Sequence, residues 1–65
     1  MNRLKELRIN KGFTQTKIAK HIGVSQQAYS FLETGQNKPS LKTAKRISDF
    51  FEIPIEKIFF DNKNN

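Results

Sequence analysis

The chain contains no cysteine, only two prolines and three glycines, and no long apolar run among its 65 residues. Without cysteine it can form neither disulfides nor thiolate metal sites, and this composition fits a reducing compartment. The longest apolar runs are far too short to span a bilayer. Residues 1–12 lack an apolar stretch followed by a small-residue cleavage site, so we expect no secretory signal, no membrane association and a cytoplasmic protein.

The short length limits the chain to one small domain. A chain of this size buries only about 60% of the surface that its unfolded form exposes, so we expect modest stability that dimerisation or ligand binding would increase. The last five residues, "DNKNN", include no apolar side chain. We therefore predict one domain over residues 1–60 and a frayed polar tail over residues 61–65.

Acidic residues are scarce in the first part of the chain. Residues 1–46 contain ten lysines and arginines against two glutamates, a net charge of +8, whereas residues 47–65 contain two lysines against four acidic residues, a net charge of −2. A basic surface attracts polyanions, of which nucleic acid is the commonest in a cytoplasm. The alternative is that these charges only solubilise exposed helix faces.

The apolar spacing is helical throughout, and no segment alternates as a strand does. We predict helices over residues 2–11, 15–22, 26–34 and 41–51, and a short fifth helix that begins near Pro54. Predicted N-caps are Thr14, Ser25 and Ser40, and predicted stops are Gly12, Gly23 and Gly35. The side chains expected to face the core are Leu4, Leu7, Ile9, Ile18, Ala19, Ile22, Ala28, Tyr29, Leu32, Leu41, Ala44, Ile47, either Phe50 or Phe51, Ile55, Ile58 and Phe59.

The third helix has one polar, uncharged side. Opposite its apolar residues lie Gln27, Ser30 and Thr34, flanked by Gln26 and Phe31. Two helices joined by a short turn with a glycine form a helix-turn-helix, whose second helix can enter the major groove of DNA. A glutamine amide can satisfy the donor and the acceptor of an adenine at once. The pattern therefore predicts that the two glutamines read bases.

Residues 7–59, "LRINKGFTQTKIAKHIGVSQQAYSFLETGQNKPSLKTAKRISDFFEIPIEKIF", resemble the Xre/Cro-type helix-turn-helix regulators, which include phage repressors and Cro proteins. The most specific pieces are "TQ" at the start of the second helix, "IA" followed by "IGVS", Glu33 with Gly35, and "KPS" before the fourth helix. The resemblance implies an all-α, compact five-helix domain of the lambda-repressor type. It also implies a homodimer that binds a two-fold operator in double-stranded DNA.

The resemblance assigns roles to individual residues. Gln15 matches a glutamine that contacts a DNA phosphate and buttresses the first recognition residue. The positions that match base readers are Gln26, Gln27 and Phe31, to which the polar side of the helix adds Ser30. Arg8 and Glu33 match a charged pair that joins the first helix to the third.

Two residues depart from the family pattern. Phe31 stands where many members carry a polar or basic side chain, so it contacts a thymine methyl, packs on Gln27 or forms part of an interaction surface. Tyr29 stands where an aliphatic residue is usual. We interpret it as structural, with a hydroxyl that needs water or a partner.

Phosphate contacts are predicted from the loop before the fourth helix. Asn37 and Lys38 lie beside a helix N-terminus, and Ser40 and Lys42 belong to the same edge. Lys17 and Lys20 lie on the outer side of the second helix. Either they contact phosphates or they are simply solvated.

No catalytic or metal-binding pattern is visible. His21, the single histidine, has no second histidine or carboxylate at ligand spacing, so we interpret it as a surface residue. The three glycines are separate helix stops and form no phosphate-binding loop. We therefore expect no enzyme, no metal, no cofactor and no small-molecule ligand.

The segment "IFF" at residues 58–60 bears on oligomerisation. Ile58 and Phe59 can complete the core, whereas Phe60 either contacts a second copy or folds back on the first helix. The sequence as a whole predicts a sequence-specific transcriptional regulator that represses by occupying an operator. The rival is a protein-interaction module, such as an antitoxin or an anti-regulator, that uses Phe31 and Phe60.

Overall fold

A computed structural model describes residues 3–59, which form five helices and contain no strand. The helices are α1 (Leu4–Lys11), α2 (Gln15–Ile22), α3 (Gln26–Thr34), α4 (Leu41–Phe51) and α5 (Ile55–Phe59). The predicted all-α architecture is confirmed, and the bounds of α3 and α4 agree with the prediction. None of the helices within residues 3–59 is long and apolar enough to cross a membrane.

Side-chain caps explain where three helices begin. The Oγ1 of Thr14 accepts a hydrogen bond from the backbone N–H of Lys17 at 3.1 Å, and the Oγ of Ser25 accepts one from Ala28 at 3.0 Å. The Oγ of Ser40 accepts one from Thr43 at 3.2 Å. Each bond satisfies a donor that the first turn of a helix leaves unpaired, so the local sequence fixes the start of α2, α3 and α4.

Two features favour glycine at position 23, where α2 ends. Its φ is 90°, a left-handed conformation that side chains disfavour. In addition, Arg46 of α4 donates from Nη1 to the carbonyl of Ile22 at 3.2 Å, and a Cβ at Gly23 would lie 2.5 Å from that nitrogen. The turn between α2 and α3 is therefore tied to α4, and a side chain at this position would displace Arg46.

The core lies where α1, α2, α3, α4 and α5 meet. Its buried members are Leu4, Leu7, Ile18, Ala19, Ile22, Tyr29, Leu32, Ile47, Phe51 and Ile58. Phe13, Val24, Phe50, Ile53 and Phe59 pack against this cluster. Ala44 is also buried, while Ala28 and Ile55 are half-buried.

The prediction that Leu41 and Ile9 face the core is wrong. Leu41 is 88% exposed and Ile9 is 56% exposed. Leu41 is the first residue of α4, and it lies about 90° around the helix from the centre of the stripe that includes Ala44 and Ile47. Ile9 follows Leu7 by two residues, about 200° of helical rotation, so it faces away when Leu7 faces the core.

Phe60 and residues 61–65 lie outside the described part of the chain, as do residues 1 and 2. The dimer contact of Phe60 and the tail over 61–65 therefore stay predictions.

Candidate nucleic-acid interface

The polar side of α3 lies at the protein surface. Gln26 and Gln27, in its first turn, are exposed, and so is Thr34 at its end. Ser30 and Phe31 are half-buried. The two glutamines are thus the most accessible of the four residues predicted to contact bases.

A nearly buried ion pair joins α1 to α3. The Nε of Arg8 donates to Oε2 of Glu33 at 2.5 Å, and its Nη2 lies 3.5 Å from Oε1. The Nη1 of Arg8 donates to the carbonyl of Phe13 at 2.8 Å. The side chains of Arg8 and Glu33 are 12% and 3% exposed. The same arginine therefore contacts both α3 and the chain segment that leads into α2.

The environment of this pair keeps both groups charged. Burial by itself would raise the pKa of Glu33, but the hydrogen bond from Arg8, the nearby hydroxyl of Tyr29 and the hydrogen bond from Gln15 together outweigh it, so the pKa is lowered. The hydrogen bond to Glu33 raises the pKa of Arg8. Glu33 is therefore an ionised carboxylate, which can only accept hydrogen bonds.

Tyr29 lies beside the pair, fully buried. Burial raises the pKa of its hydroxyl strongly. The oxygen is close to Glu33 and Arg8, yet no residue of the described chain makes a hydrogen bond of standard geometry with it. Tyr29 therefore faces the interior and not the helix edge.

Gln15 carries the network from the ion pair to the surface. Its Nε2 donates to Oε1 of Glu33 at 3.0 Å, and its Oε1 accepts from Nε2 of Gln26 at 3.4 Å. Gln15 is half-buried, whereas Gln26 is exposed. A continuous chain of polar contacts thus runs from α1 through α3 and α2 to the first exposed residue of α3.

The loop before α4 folds back on the end of α3. The backbone N–H groups of Gln36 and Asn37 donate to the carbonyl of Phe31 at 3.0 and 3.3 Å. An open cavity of about 190 Å³ lies between this loop and the helix-turn-helix. It is lined by Val24, Ala28, Leu32, Asn37, Lys38, Pro39, Ser40 and Thr43. The fold therefore brings three of the predicted phosphate contacts, Asn37, Lys38 and Ser40, next to α3.

The side chains predicted to contact phosphates differ in how free they are to bind one. Lys38 and Lys17 are exposed, and Lys42 is exposed beside the start of α4. The Oγ of Ser40 already donates to Oγ1 of Thr43 at 3.1 Å and caps α4. A phosphate contact by Ser40 would have to compete with that bond.

His21 is exposed, as expected, but it is not isolated. Its ring lies 5.4 Å from the rings of Phe13 and Phe50. The Nζ of Lys11 lies 5.3 Å from the centroid of Phe50, a cation–π contact. Within residues 3–59 no group of three or more histidine and acidic side chains is placed to hold a metal ion.

Two contacts could not be found from the sequence. Nothing in the local pattern of α4 indicated that Arg46 would reach the turn at Gly23, and the contact of Gln15 with Glu33 joins residues that are 18 positions apart. Both depend on how the helices pack.

Comparison with known proteins places this geometry in a family. A family model described as helix-turn-helix matches residues 4–58. An uncharacterized HTH-type transcriptional regulator of Archaeoglobus fulgidus is 44% identical over 62 residues, covering 94% of this chain and 87% of the relative. The uncharacterized HTH-type transcriptional regulator MJ0272 of Methanocaldococcus jannaschii is 45% identical over 58 residues, covering 89% and 88%.

A third relative carries a more specific name. The cryptic phage CTXphi transcriptional repressor RstR of Vibrio cholerae is 28% identical over 64 residues, covering 98% of this chain and 58% of the relative. The resemblance to Xre/Cro-type regulators is thereby confirmed. The chain belongs to the helix-turn-helix family of transcriptional regulators.

Proposed function

We propose that the protein is a sequence-specific DNA-binding regulator that represses transcription by occupying an operator. The observation that carries the proposal is the pair of exposed glutamines in the first turn of α3, one of which is held by Gln15. Relatives named as HTH-type transcriptional regulators support the class, and the name of RstR supports repression. A regulator must share a compartment with its DNA, and on this basis we propose a cytoplasmic location.

We assign base readout to α3. Gln26 and Gln27 can reach the edges of bases as the helix enters the major groove, and Ser30 and Phe31 follow one turn later. Half-burial of Phe31 leaves part of its ring for a thymine methyl, while the rest packs on the protein. The four residues would thus read a short run of base pairs by hydrogen bonds and one apolar contact.

Phosphate contacts hold α3 in register. Gln15 lies at the start of α2, and Asn37 and Lys38 lie in the loop beside the start of α4, so they flank α3 on two sides. Lys17 and Ser40 are secondary candidates. Such contacts are independent of sequence and set the position of the helix on the duplex. The basic character of residues 1–46 supports the same assignment.

We further propose that a two-fold dimer is the binding unit. The nine residues of α3 span only about 13 Å, so one copy reads only part of a helical turn. Two copies related by a two-fold axis would set their α3 helices about 34 Å apart, one turn of DNA. Phe60, which lies outside the described residues, is the candidate contact between copies.

Selection of bound duplexes from a random pool tests the proposal. The expected result is a recurrent sequence with two-fold symmetry, bound by the purified protein far more tightly than random DNA. Affinity for it should fall by about 10³-fold or more between 50 and 200 mM salt, if six or more phosphates are contacted. A protein-interaction module, the rival function, would enrich no sequence, and an apolar contact with a partner protein would hardly respond to salt.

A further inference from the structure

Arg46 of α4 supplies a hydrogen bond that the end of α2 lacks. The last carbonyls of a helix have no partner within the helix itself. The carbonyl of Ile22, the last residue of α2, accepts a hydrogen bond from Nη1 of Arg46 at 3.2 Å, although the two residues are 24 positions apart. A cation at this end of a helix also interacts favourably with the helix dipole. Arg46 therefore completes α2 from a different helix.

The surroundings of Arg46 give its side chain no competing partner. Within residues 3–59 no carboxylate forms an ion pair with it, and its bond to Ile22 is the one hydrogen bond that its side chain makes there. Glycine leaves the space that the guanidinium occupies, since a Cβ at position 23 would lie 2.5 Å from Nη1. The guanidinium thus lies directly against the turn between α2 and α3.

This turn connects elements to which we assign different contacts with DNA. Only three residues separate the end of α2 from the start of α3. Gln15, a proposed phosphate contact, begins α2, and the proposed base readers begin α3. The loop that carries Lys38 leads into α4, the helix that carries Arg46. The bond from Arg46 to the turn therefore fixes three DNA-contacting elements relative to one another.

Arg46 itself lies away from the proposed contacts with DNA. Gln15 and Ile22 are at opposite ends of α2, about 10 Å apart along the helix axis. Arg46 contacts the end at Ile22, whereas we expect a phosphate at the end with Gln15. Any effect of Arg46 on DNA binding should therefore act through the arrangement of the helices.

We propose that Arg46 is a positioning residue for operator binding, which holds the turn between α2 and α3 so that base contacts and phosphate contacts form together. The inference rests on the proposed function. Operator binding needs all of these contacts in one arrangement, whereas binding to random DNA depends mainly on charge. Apparent affinity falls with the fraction of molecules in the competent arrangement. Loss of the bond should therefore weaken operator binding and leave random binding nearly unchanged.

Three variants separate position from charge. Arg46→Met removes both the donor and the charge but keeps an unbranched side chain at an exposed site. Arg46→Lys keeps a charged donor that can serve a single carbonyl. Lys45→Met is the matched control, because Lys45 is exposed in the same helix and makes no side-chain hydrogen bond or ion pair within the described residues.

Each protein is titrated with the duplex that the wild type selects from a random pool and with a scrambled duplex, at several salt concentrations. Circular dichroism establishes that each variant is folded at the temperature used. Arg46→Met should lower the ratio of operator to random affinity by about tenfold, the effect of losing one hydrogen bond from a charged group. Arg46→Lys should restore most of this ratio. Lys45→Met should keep the wild-type ratio and show the same salt slope on random DNA as Arg46→Met.

An unchanged ratio in Arg46→Met overturns the proposal. So does a salt slope in Arg46→Met that is lower by about 1 than in Lys45→Met, because Arg46 would then neutralise a phosphate itself. A ratio in Arg46→Lys no higher than in Arg46→Met would exclude the hydrogen bond as the cause. If Arg46→Met does not fold, Arg46→Ala decides in its place, since alanine has the highest helix propensity. A pool that yields no enriched duplex would instead remove the proposed function, and this inference with it.

Discussion

Arg8 and Glu33 are 25 positions apart in the chain, yet the guanidinium of one holds the carboxylate of the other at 2.5 Å, close to the end of α3. The pair connects α1 to α3, and through Gln15 it reaches α2 as well. A single interaction thus has two consequences. It contributes to the stability of a small core, and it fixes the start of the surface that we propose to read DNA.

Removing Glu33 from the Arg8–Glu33 pair should destabilise the protein. Glu33→Ala leaves the guanidinium of Arg8 nearly buried and without its partner, so we expect the free energy of unfolding to fall by about 3 to 5 kcal/mol. In a small domain this is a large share of the total free energy of unfolding. Urea unfolding followed by circular dichroism measures the loss.

A surface pair provides the control for this prediction. Arg3 and Glu6 approach to 3.8 Å on α1, with side chains 41% and 63% exposed. Glu6→Ala should cost less than about 1 kcal/mol, because water screens the pair. Similar losses for Glu6→Ala and Glu33→Ala would show that burial does not set the strength of the Arg8–Glu33 interaction.

The depressed pKa of Glu33 predicts how stability depends on pH. A carboxyl group with a lower pKa in the folded than in the unfolded protein stabilises the fold fully above the unfolded value, near 4.5, and this contribution is lost as pH falls through the folded value. The free energy of unfolding should therefore decline as pH is lowered from about 5. In Glu33→Gln, which cannot titrate at this position, the decline should be shallower. A decline of the same steepness in both proteins would contradict the assignment to Glu33.

The helix bounds could be predicted because the signals that set them are local. Ser25 caps α3 through a bond to a residue three positions later, and Gly35 ends the helix through its own backbone conformation. Such signals need no knowledge of the tertiary structure. Leu41 carries no such signal: it lies at the edge of the apolar stripe of α4, so its exposure depends on which part of α4 meets α2 and α5.

Some features of the candidate site could likewise be predicted from the sequence, whereas others depend on how the helices pack. The two exposed glutamines follow from helical periodicity within α3, so the sequence indicated them directly. The resemblance to Xre/Cro-type regulators implied the pairing of Arg8 with Glu33 and the support of Gln26 by Gln15. The contact of Gln15 with Glu33, which joins these two features into one network, became visible only when α1, α2 and α3 were packed together.

The hydroxyl of Tyr29 should add nothing to stability. It is buried beside Glu33 without a hydrogen bond of standard geometry, so Tyr29→Phe removes an unsatisfied polar atom while the ring still fills the core. We expect the free energy of unfolding to stay unchanged or to rise by up to about 2 kcal/mol. Thermal or urea unfolding measures the difference.

Tyr29→Ala is the matched comparison, since it removes the ring as well. A cavity of that size should cost about 3 to 5 kcal/mol. A loss of more than about 1 kcal/mol in Tyr29→Phe would mean that the hydroxyl donates a functional hydrogen bond to Glu33 in solution.

Gln27 should affect specificity more than overall affinity. Gln27→Ala removes one exposed amide from the first turn of α3, so discrimination at one base pair should fall by about 1 to 3 kcal/mol while binding to random DNA changes little. Competition binding with operator duplexes that differ at single positions measures this effect. Equal losses on operator and on random DNA would contradict a role in base readout.

Lys38 should behave in the opposite way. It is exposed in the loop that faces α3 across the 190 Å³ cavity, and its ammonium group can reach a phosphate but carries no information about sequence. Lys38→Ala should therefore weaken binding to all duplexes alike and reduce the slope of log K against log salt by about 1. Lys57→Ala removes the same charge from α5, in the acidic part of the chain, and should leave that slope close to the wild-type value. Identical salt slopes for the two variants would place the phosphate contacts elsewhere, because long-range attraction depends on net charge whereas the slope counts the phosphates that are neutralised.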